Sequence, residues 1–480
     1  MEAANRHRVR VRATVRTPQH SGRGRLSNQS FRGNSAFQEA ESASVRLSQN
    51  QYVMAGSAAC FSAILIALWP ITSLTILHLL GFGLFGLSIL QRLIFSATPR
   101  KPRSVVLLPD HALPRYTVLL PLYREAQMVP GLINALRRLD YPDHRSEWLF
   151  LVENSDPETL EALNRANLPS HAKILVVPPG TPTTKPRACN FGLARATGQL
   201  IVIFDAEDLP HPQQLREAAS QFSVSDPRLA CLQAPLRILP SKSLLGRQFA
   251  VEYAILFELV LPAMTRIGLA VPLGGTSNHF KTEVLRAIGG WDRFNVTEDA
   301  DVGFRLATEG YSTATLTCPT LEAPPTRMSQ WLPQRARWLK GFIQTLAVHL
   351  RTPGGLRPLT ALSLFSTIGL TVISALVHAP LAVWLLVNLS LALAGVMDWP
   401  QSQDLGLLLV GWVSHALAAR QSWHLMDHRI TFADVWTLML APLYWPLLSV
   451  AALRAFWQFI FHPHRWDKTE HQPLLMLQPD

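Results

Sequence analysis

Three stretches of this chain carry no Asp, Glu, Lys or Arg: residues 53–69, 71–90 and 358–397. A bilayer core takes about 20 apolar residues per helix, and backbone within it must satisfy its own hydrogen bonds. The first two runs, parted by Pro70, therefore predict a hairpin of spanning helices. The third is long enough for two more, with a break expected near His378-Ala379-Pro380. Shorter runs at 405–419 and 435–453 predict a fifth and a sixth span, the fifth being short enough for a buried or re-entrant helix. A fold consistent with this pattern has two membrane blocks around whatever lies between them.

What lies between, residues 96–352, has ordinary globular composition. Apolar runs at 116–122, 148–152, 174–177 and 200–204 read as buried strands. Helical patterns at 126–139 and 188–196 alternate with them. Buried strands alternating with helices predict an α/β domain with a mostly parallel, Rossmann-like sheet. Ligands of such sheets bind beyond the carboxyl ends of the strands. Glu153 and Asp205 fall at two of those ends. The expected organisation is a tail at 1–50, a two-helix hairpin at 51–95, the α/β domain at 96–352, about four membrane helices at 353–460 and a tail at 461–480.

The net charge of +11 invites comparison with nucleic-acid binders, but its placement argues otherwise. Arg6, Arg8, Arg10, Arg12, Arg16, Arg23, Arg25 and Arg32 precede the first apolar run with no acid among them. A basic segment just ahead of a span is an inside-facing anchor beside anionic lipids, and its Ser, Asn, Gln and Gly content predicts disorder. Cys60, Cys189, Cys231 and Cys318 have no metal-ligand spacing and read as reduced thiols.

Chemistry concentrates in a few short segments. Asp205-Ala206-Glu207-Asp208 ends the fourth strand, and Thr297-Glu298-Asp299 and Gln334-Arg335-Ala336-Arg337-Trp338 follow downstream. Each has a bland reading: a solvated acidic turn, a helix cap on Thr297, and an amphipathic helix at the membrane interface. Residues 243–265 suggest a second interface helix, with Arg247, Glu252 and Glu258 on its polar side.

In this order, between hydrophobic spans, the segments resemble the membrane-embedded family 2 glycosyltransferases, the group of the cellulose, chitin, hyaluronan and curdlan synthases. The resemblance covers residues 50–471. It implies an inverting transfer of a sugar from a nucleotide-diphospho-sugar, with a uridine nucleotide expected, onto an acceptor hydroxyl. Asp205 and Glu207 stand where the family has its metal-binding Asp-x-Asp, so Mg²⁺ or Mn²⁺ is the expected cofactor; a divalent cation bridges the diphosphate charge. Glu207 departs from the family Asp, and Asp208 is an alternative ligand. Glu153, also a departure, stands at the nucleobase-contacting Asp, with Asp156 sharing that role or simply capping the next helix. Lys185 opens a helix beside the donor, where a phosphate would offset a cation's unfavourable place at the helix N-terminus.

Asp299 takes the position of the general base. A hydroxyl needs such a carboxylate within hydrogen-bond reach, and crowding by Glu298, Asp301 and Asp292 is expected to raise its pKa. Gly275, Thr276 and Ser277 match an acceptor-side motif without its usual Cys, and with Glu298, Gln334 and Trp338 they are the expected acceptor contacts. His279 nearby reads as structural. Arg337 is placed to neutralise the developing diphosphate charge. His464-Arg465-Trp466-Asp467-Lys468-Thr469 resembles a tail of bacterial exopolysaccharide-type members.

The resemblance therefore implies a multi-pass protein of a bacterial inner membrane with a cytosolic catalytic domain. Its expected partners are a nucleotide-sugar donor, a glycan or lipid acceptor, membrane lipids, and export or regulatory proteins, but no nucleic acid. The first expectation is a polysaccharide synthase. Alternatives are a non-processive transferase acting on a lipid, or a scaffold with a degenerate catalytic domain.

Overall fold

The computed structural model describes residues 42–98, 105–351, 355–396 and 402–465. Most of the basic tail and the Trp466-Asp467-Lys468-Thr469 segment lie outside these. Helices α1 (Gln49–Leu68) and α2 (Pro70–Ala97) form the expected hairpin, with Pro70 at the first helical position of α2. There its missing N–H is no loss. α1 buries none of its side chains against the rest of the protein.

The α/β domain opens with β1 (Tyr116–Leu122), α3 (Val129–Leu136), β2 (Ser146–Glu153), α4 (Pro157–Arg165), β3 (Ala172–Val177), α5 (Lys185–Leu193) and β4 (Leu200–Ile203). α3 is shorter than the helix expected over 126–139: a 3₁₀ turn, Ala126–Met128, precedes it, and the chain beyond Leu136 leaves the helix so that the Asp140 N–H bonds to the Pro212 carbonyl. Next come β5 (Leu209–Pro210), α6 (Gln214–Val224), β6 (Leu229–Gln233) and β7 (Leu236–Ile238). A single interrupted helix follows: α7 (Leu244–Ala254), a π turn over Ile255–Val260, and α8 (Leu261–Arg266). Then come β8 (Asn278–Lys281), α9 (Thr282–Ala287), α10 (Glu298–Thr308), β9 (Ser312–Thr315), β10 (Thr320–Glu322) and the long α11 (Met328–His349).

Seven strands lie in the order β3-β2-β1-β4-β8-β6-β9, and β5-β10-β7 make a small second sheet. β3, β2, β1 and β4 run parallel, while β8 is antiparallel to both its neighbours. The expected α/β class is borne out. β1 and β2 are buried along nearly their whole length because helices cover both faces. One core packs Leu119, Leu151 and Ile203 against α5, α7, α11 and the C-terminal helix. The other packs Val118, Phe150 and Val202 against α3, α4 and α6.

The helices after the domain differ from expectation. α12 (Pro358–Leu364), a π turn at Phe365–Gly369 and α13 (Leu370–Leu393) run as one 36-residue helix, not two. Pro380 does not break it, because the Ser449 hydroxyl of a neighbouring helix accepts from the Ala379 N–H at 2.8 Å and donates to the Ala375 carbonyl at 2.5 Å. Such a neighbour re-satisfies the backbone that proline disturbs. α14 (Ser402–Leu425) contains the expected fifth span but carries Asp404 and Arg420, and it is not apolar enough to count as a spanning candidate. α15 (Phe432–Met439) and α16 (Ala441–Phe461) meet at a 55° bend. Among the described residues three helices are long and apolar enough to cross a membrane, or four if the bent pair is one span, in place of the expected six.

Candidate active site

The polar segments converge beyond the carboxyl ends of β1, β2 and β4, around a cavity of about 640 Å³. Asp205 leaves the end of β4 and pairs with Lys185 at 2.5 Å; Lys185, the first residue of α5, also donates to the Gly275 carbonyl at 2.6 Å. The ammonium therefore sits at a helix N-terminus only because carboxylates surround it, and Asp205 and Glu298 hold its pKa up against burial. Asp208 is buried. Its Oδ2 accepts the Asp205 N–H at 2.7 Å and the Thr276 hydroxyl, while its Oδ1 is buried without a partner. Glu322 at the end of β10, which the sequence did not single out, faces the same group. Burial, then the charges of Asp208, Glu207 and Asp205, push its carboxyl well up. Burial and the neighbouring Asp205 and Glu207 do the same to Asp208.

At the end of β2, Glu153 is buried and paired with Arg187 of α5, whose guanidinium also donates to the Pro178 carbonyl at 2.7 Å. The other Glu153 oxygen has no partner, and burial raises its pKa despite the arginine. Asp156 lies off the cavity wall. It caps α4 by accepting the Thr159 N–H at 3.2 Å, and its second oxygen accepts the Arg124 N–H. Both oxygens thus serve backbone, as in the capping alternative.

Asp299 lies in the first turn of α10 and lines the cavity. Its Oδ1 accepts the Ala300 N–H at 2.8 Å. Thr297 occupies the cap position, but its hydroxyl does not bond the helix amides as expected. α10 is held from the side instead: a Cβ on Gly341 of α11 would fall 2.2 Å from the Thr297 hydroxyl oxygen, so only glycine permits this approach. Burial pushes Asp299 up to about 6, while the Ala300 amide, Lys185 and Arg337 oppose it. Burial and the Asp299 charge raise Glu298 to about 8. The expected crowding by Asp301 and Asp292 is not the cause. Asp301 is neutralised by Arg305 at 2.8 Å and His349 at 3.0 Å, which hold it below its ordinary value. Asp292 accepts from Ser42, the Ala43 N–H and the Phe294 N–H.

Of the glycine-containing segment, Gly275 and Thr276 reach the cavity, and Asp299 Oδ2 lies 3.4 Å from where a Gly275 Cβ would stand. Ser277 turns away at φ 56° to bond Thr320 at 2.6 Å, and His279 is buried between Tyr116 at 2.6 Å and Gln214 at 3.1 Å. Gln334, Arg337 and Trp338 of α11 line the cavity. The Arg335 guanidinium stacks 4.8 Å from Trp338 and 4.7 Å from Phe249, and pairs with Glu252 of α7.

The polar sides of the two expected interface helices find partners within the protein. Glu252 also accepts from Tyr444, Glu258 pairs with Arg237 at 2.7 Å, and Arg247 donates to Thr437. Lys340 is fully buried and donates to the Arg465 carbonyl at 2.5 Å. These polar groups face protein because buried ones need partners.

Among the described residues no three His, Cys, Asp or Glu side chains form a ready metal cage. Even so, Asp205, Glu207, Asp208 and Glu322 lie close enough for their charges to raise the Asp208 and Glu322 carboxyls, and one Asp208 oxygen is buried without a partner. That donor set is chemically suited to a hard divalent cation.

Sequence comparison agrees with this geometry. The profile described as glycosyl transferase family 2 matches residues 117–265, and that of glycosyl transferase family group 2 matches residues 200–397. Together they span the site from β1 through Trp338. Residues 117–397 carry a family 2 glycosyltransferase domain. The chain is 24% identical over 233 residues to a probable glycosyltransferase, YdaM, of Bacillus subtilis, covering 48% of this chain and 55% of that protein. It is 25% identical over 232 residues to a poly-β-1,6-N-acetyl-D-glucosamine synthase of Staphylococcus aureus, with the same coverage. The chain thus spans about half the length of these curated relatives. The mannosyltransferase PcManGT of Pyrobaculum calidifontis, solved with GDP-mannose and Mn²⁺, superposes with a TM-score of 0.51 at 20% identity, over 79% of this chain and 96% of that one. That likeness concerns the fold.

One prediction arises from the Asp299 environment. As a general base Asp299 must be ionised, so kcat/KM should fall as pH drops through about 6 and level off between about 6 and about 8, where Glu298 begins to ionise. The measured value will belong to the Glu298–Asp299 pair. A profile flat down to pH 4.5 would remove Asp299 as the titrating base.

Proposed function

We propose that this glycosyltransferase moves a sugar from a nucleotide-diphospho-sugar, most simply a uridine-linked one, onto a growing β-linked polysaccharide, with inversion at the anomeric carbon and with export. The observation that carries the reading is one cavity: it holds Asp299, Lys185, Asp205 and Arg337 at one end and continues past Trp338 between α2, α13, α14 and α16. An acceptor extended along it would present its terminal hydroxyl to Asp299 and stack on Trp338.

In this reading Glu153 meets the nucleobase, and Asp299 accepts the proton as the hydroxyl attacks. Lys185 and Arg337 neutralise the departing diphosphate. Thr276 and Gln334 hydrogen-bond the acceptor sugar, and Glu298, protonated over much of the neutral range, can donate to it. Mg²⁺ or Mn²⁺ would be held by Asp205 and Glu207, with Asp208 in reserve, and would supply charge neutralisation of the diphosphate. Chelation should lower turnover at least roughly 100-fold, with recovery on adding Mn²⁺. Full activity after exhaustive chelation would remove the metal.

The poly-N-acetylglucosamine synthase relative supports the polymer reading. A specific observation favours a lipid acceptor as a second reading: the cavity wall among the helices includes Phe85, Ile89, Leu370 and Leu448. The size of the labelled product separates the two. We further place the protein in a bacterial inner membrane with the α/β domain and both termini cytosolic. A cysteine-accessibility map should protect positions 120–340 from external reagents; labelling there from outside would reverse the orientation.

A further inference from the structure

The chain reaches Asp299 through residues 292–297, which lie in neither a helix nor a strand. Asn295, Val296 and Thr297 of this loop line the cavity. Its backbone is held by Gln344 of α11, a buried side chain off the cavity wall. Gln344 Oε1 accepts the Val296 N–H at 3.0 Å. Its Nε2 donates to the Phe294 carbonyl at 3.3 Å and to the Pro463 carbonyl at 3.0 Å. One N–H at the oxygen end and two carbonyls at the nitrogen end match what a side-chain amide can offer. The neighbouring Thr345 accepts from Asn295 at 3.0 Å, and Asn295 in turn accepts the Thr297 N–H at 3.0 Å.

Pro463 belongs to the segment that leaves α16. His464 Nδ1 in that segment lies 3.4 Å from the Phe294 carbonyl, and its ring meets the Phe294 ring edge-on at 5.2 Å. Lys340, one turn before Gln344 on α11, donates to the Arg465 carbonyl at 2.5 Å. α16 itself lines the cavity with Trp445 and Leu448. The loop leading to Asp299 is therefore gripped between α11 and the end of a helix that forms part of the cavity wall. A base acts only within hydrogen-bond reach of the proton it takes, and a misplacement of about 1 Å can cost about 100-fold. Gln344 fixes two of the peptide groups that set where α10 begins, without itself reaching the reacting groups.

We propose that Gln344 is a positioning residue for Asp299, tying the loop that carries the base to residues 463–465 and so to α16. This rests on reading Asp299 as the base of the proposed transfer. The test is a double-mutant cycle in the full-length protein. Gln344→Met keeps the length of the side chain without its hydrogen bonds. It should lower kcat about 10- to 100-fold, with the donor KM within about twofold of wild type. In the Asp299→Asn background the same change should lower the residual rate by less than about twofold, because the group it positions is gone. His464→Ala loosens the same loop from the α16 side. It should lower kcat about threefold or more, again only where Asp299 is present, and it decides the matter if Gln344→Met does not fold. Equal losses in both backgrounds would mark a general structural role and overturn the proposal. Unchanged kcat in both variants, or a loss confined to the donor KM, would overturn it too. These outcomes leave the base assignment standing if Asp299→Asn alone is inactive. Near-normal turnover of Asp299→Asn would remove the base assignment itself, and this proposal with it.

Discussion

Asp299→Asn should lower sugar transfer by about 10²–10⁴-fold, the usual contribution of a general base, while donor binding remains. The substitution is nearly isosteric, and its amide oxygen can still accept the Ala300 N–H that orients the side chain. What it removes is a carboxylate on the cavity wall, the proton acceptor of the proposed mechanism. It also removes a negative charge next to Glu298, so Glu298 should become easier to ionise. The asparagine enzyme should therefore lose the fall in rate near pH 6 along with its activity. Comparison of kcat and donor affinity in folded wild type and variant checks this. Near-normal turnover would assign the base elsewhere.

Trp338→Ala should shorten the product severalfold or abolish it, while hydrolysis of the donor survives better. A processive enzyme must hold the terminal sugar while the donor exchanges. In the proposed reading Trp338 would offer the flat apolar face for this, and its own position is fixed by Arg335, Phe249 and Tyr253 packed around it. Losing a large apolar contact costs about 1.5–3 kcal/mol of acceptor binding, roughly 10- to 150-fold in affinity. Trp338→Phe should retain an intermediate product length. Size analysis of labelled product decides it: unchanged polymer length in Trp338→Ala would exclude the ring as the platform.

Sequence periodicity located the buried strands well because helices cover both faces of the parallel sheet, which makes each strand a short continuous apolar run. β1 shows this plainly: Tyr116–Leu122 is the run itself. Asp205, Lys185, Asp299, Arg337 and Trp338 were readable because each sits in a local pattern. Their mutual contacts were not, since Lys185 meets Asp205 through the fold. Arg187 on Glu153 and Glu322 beside Asp208 carried no local signal for the same reason. Acidity alone also misled. Asp292 and Asp301 lie close to Asp299 in sequence, yet one ties down the Ser42–Ala43 segment and the other is an ion pair behind α10. Pro380 suggested a break that a serine on α16 repairs, and a partner of that kind is invisible in a hydropathy run.

The central claim, that Asp299 drives inverting transfer from a nucleotide-diphospho-sugar, is tested most directly with labelled donors and purified full-length protein. Wild type with Mn²⁺ should release nucleoside diphosphate and place the label in a β-linked product, and Asp299→Asn should do neither at a comparable rate. An α-linked product from an α-linked donor, or equal label incorporation by the asparagine enzyme, would contradict the account.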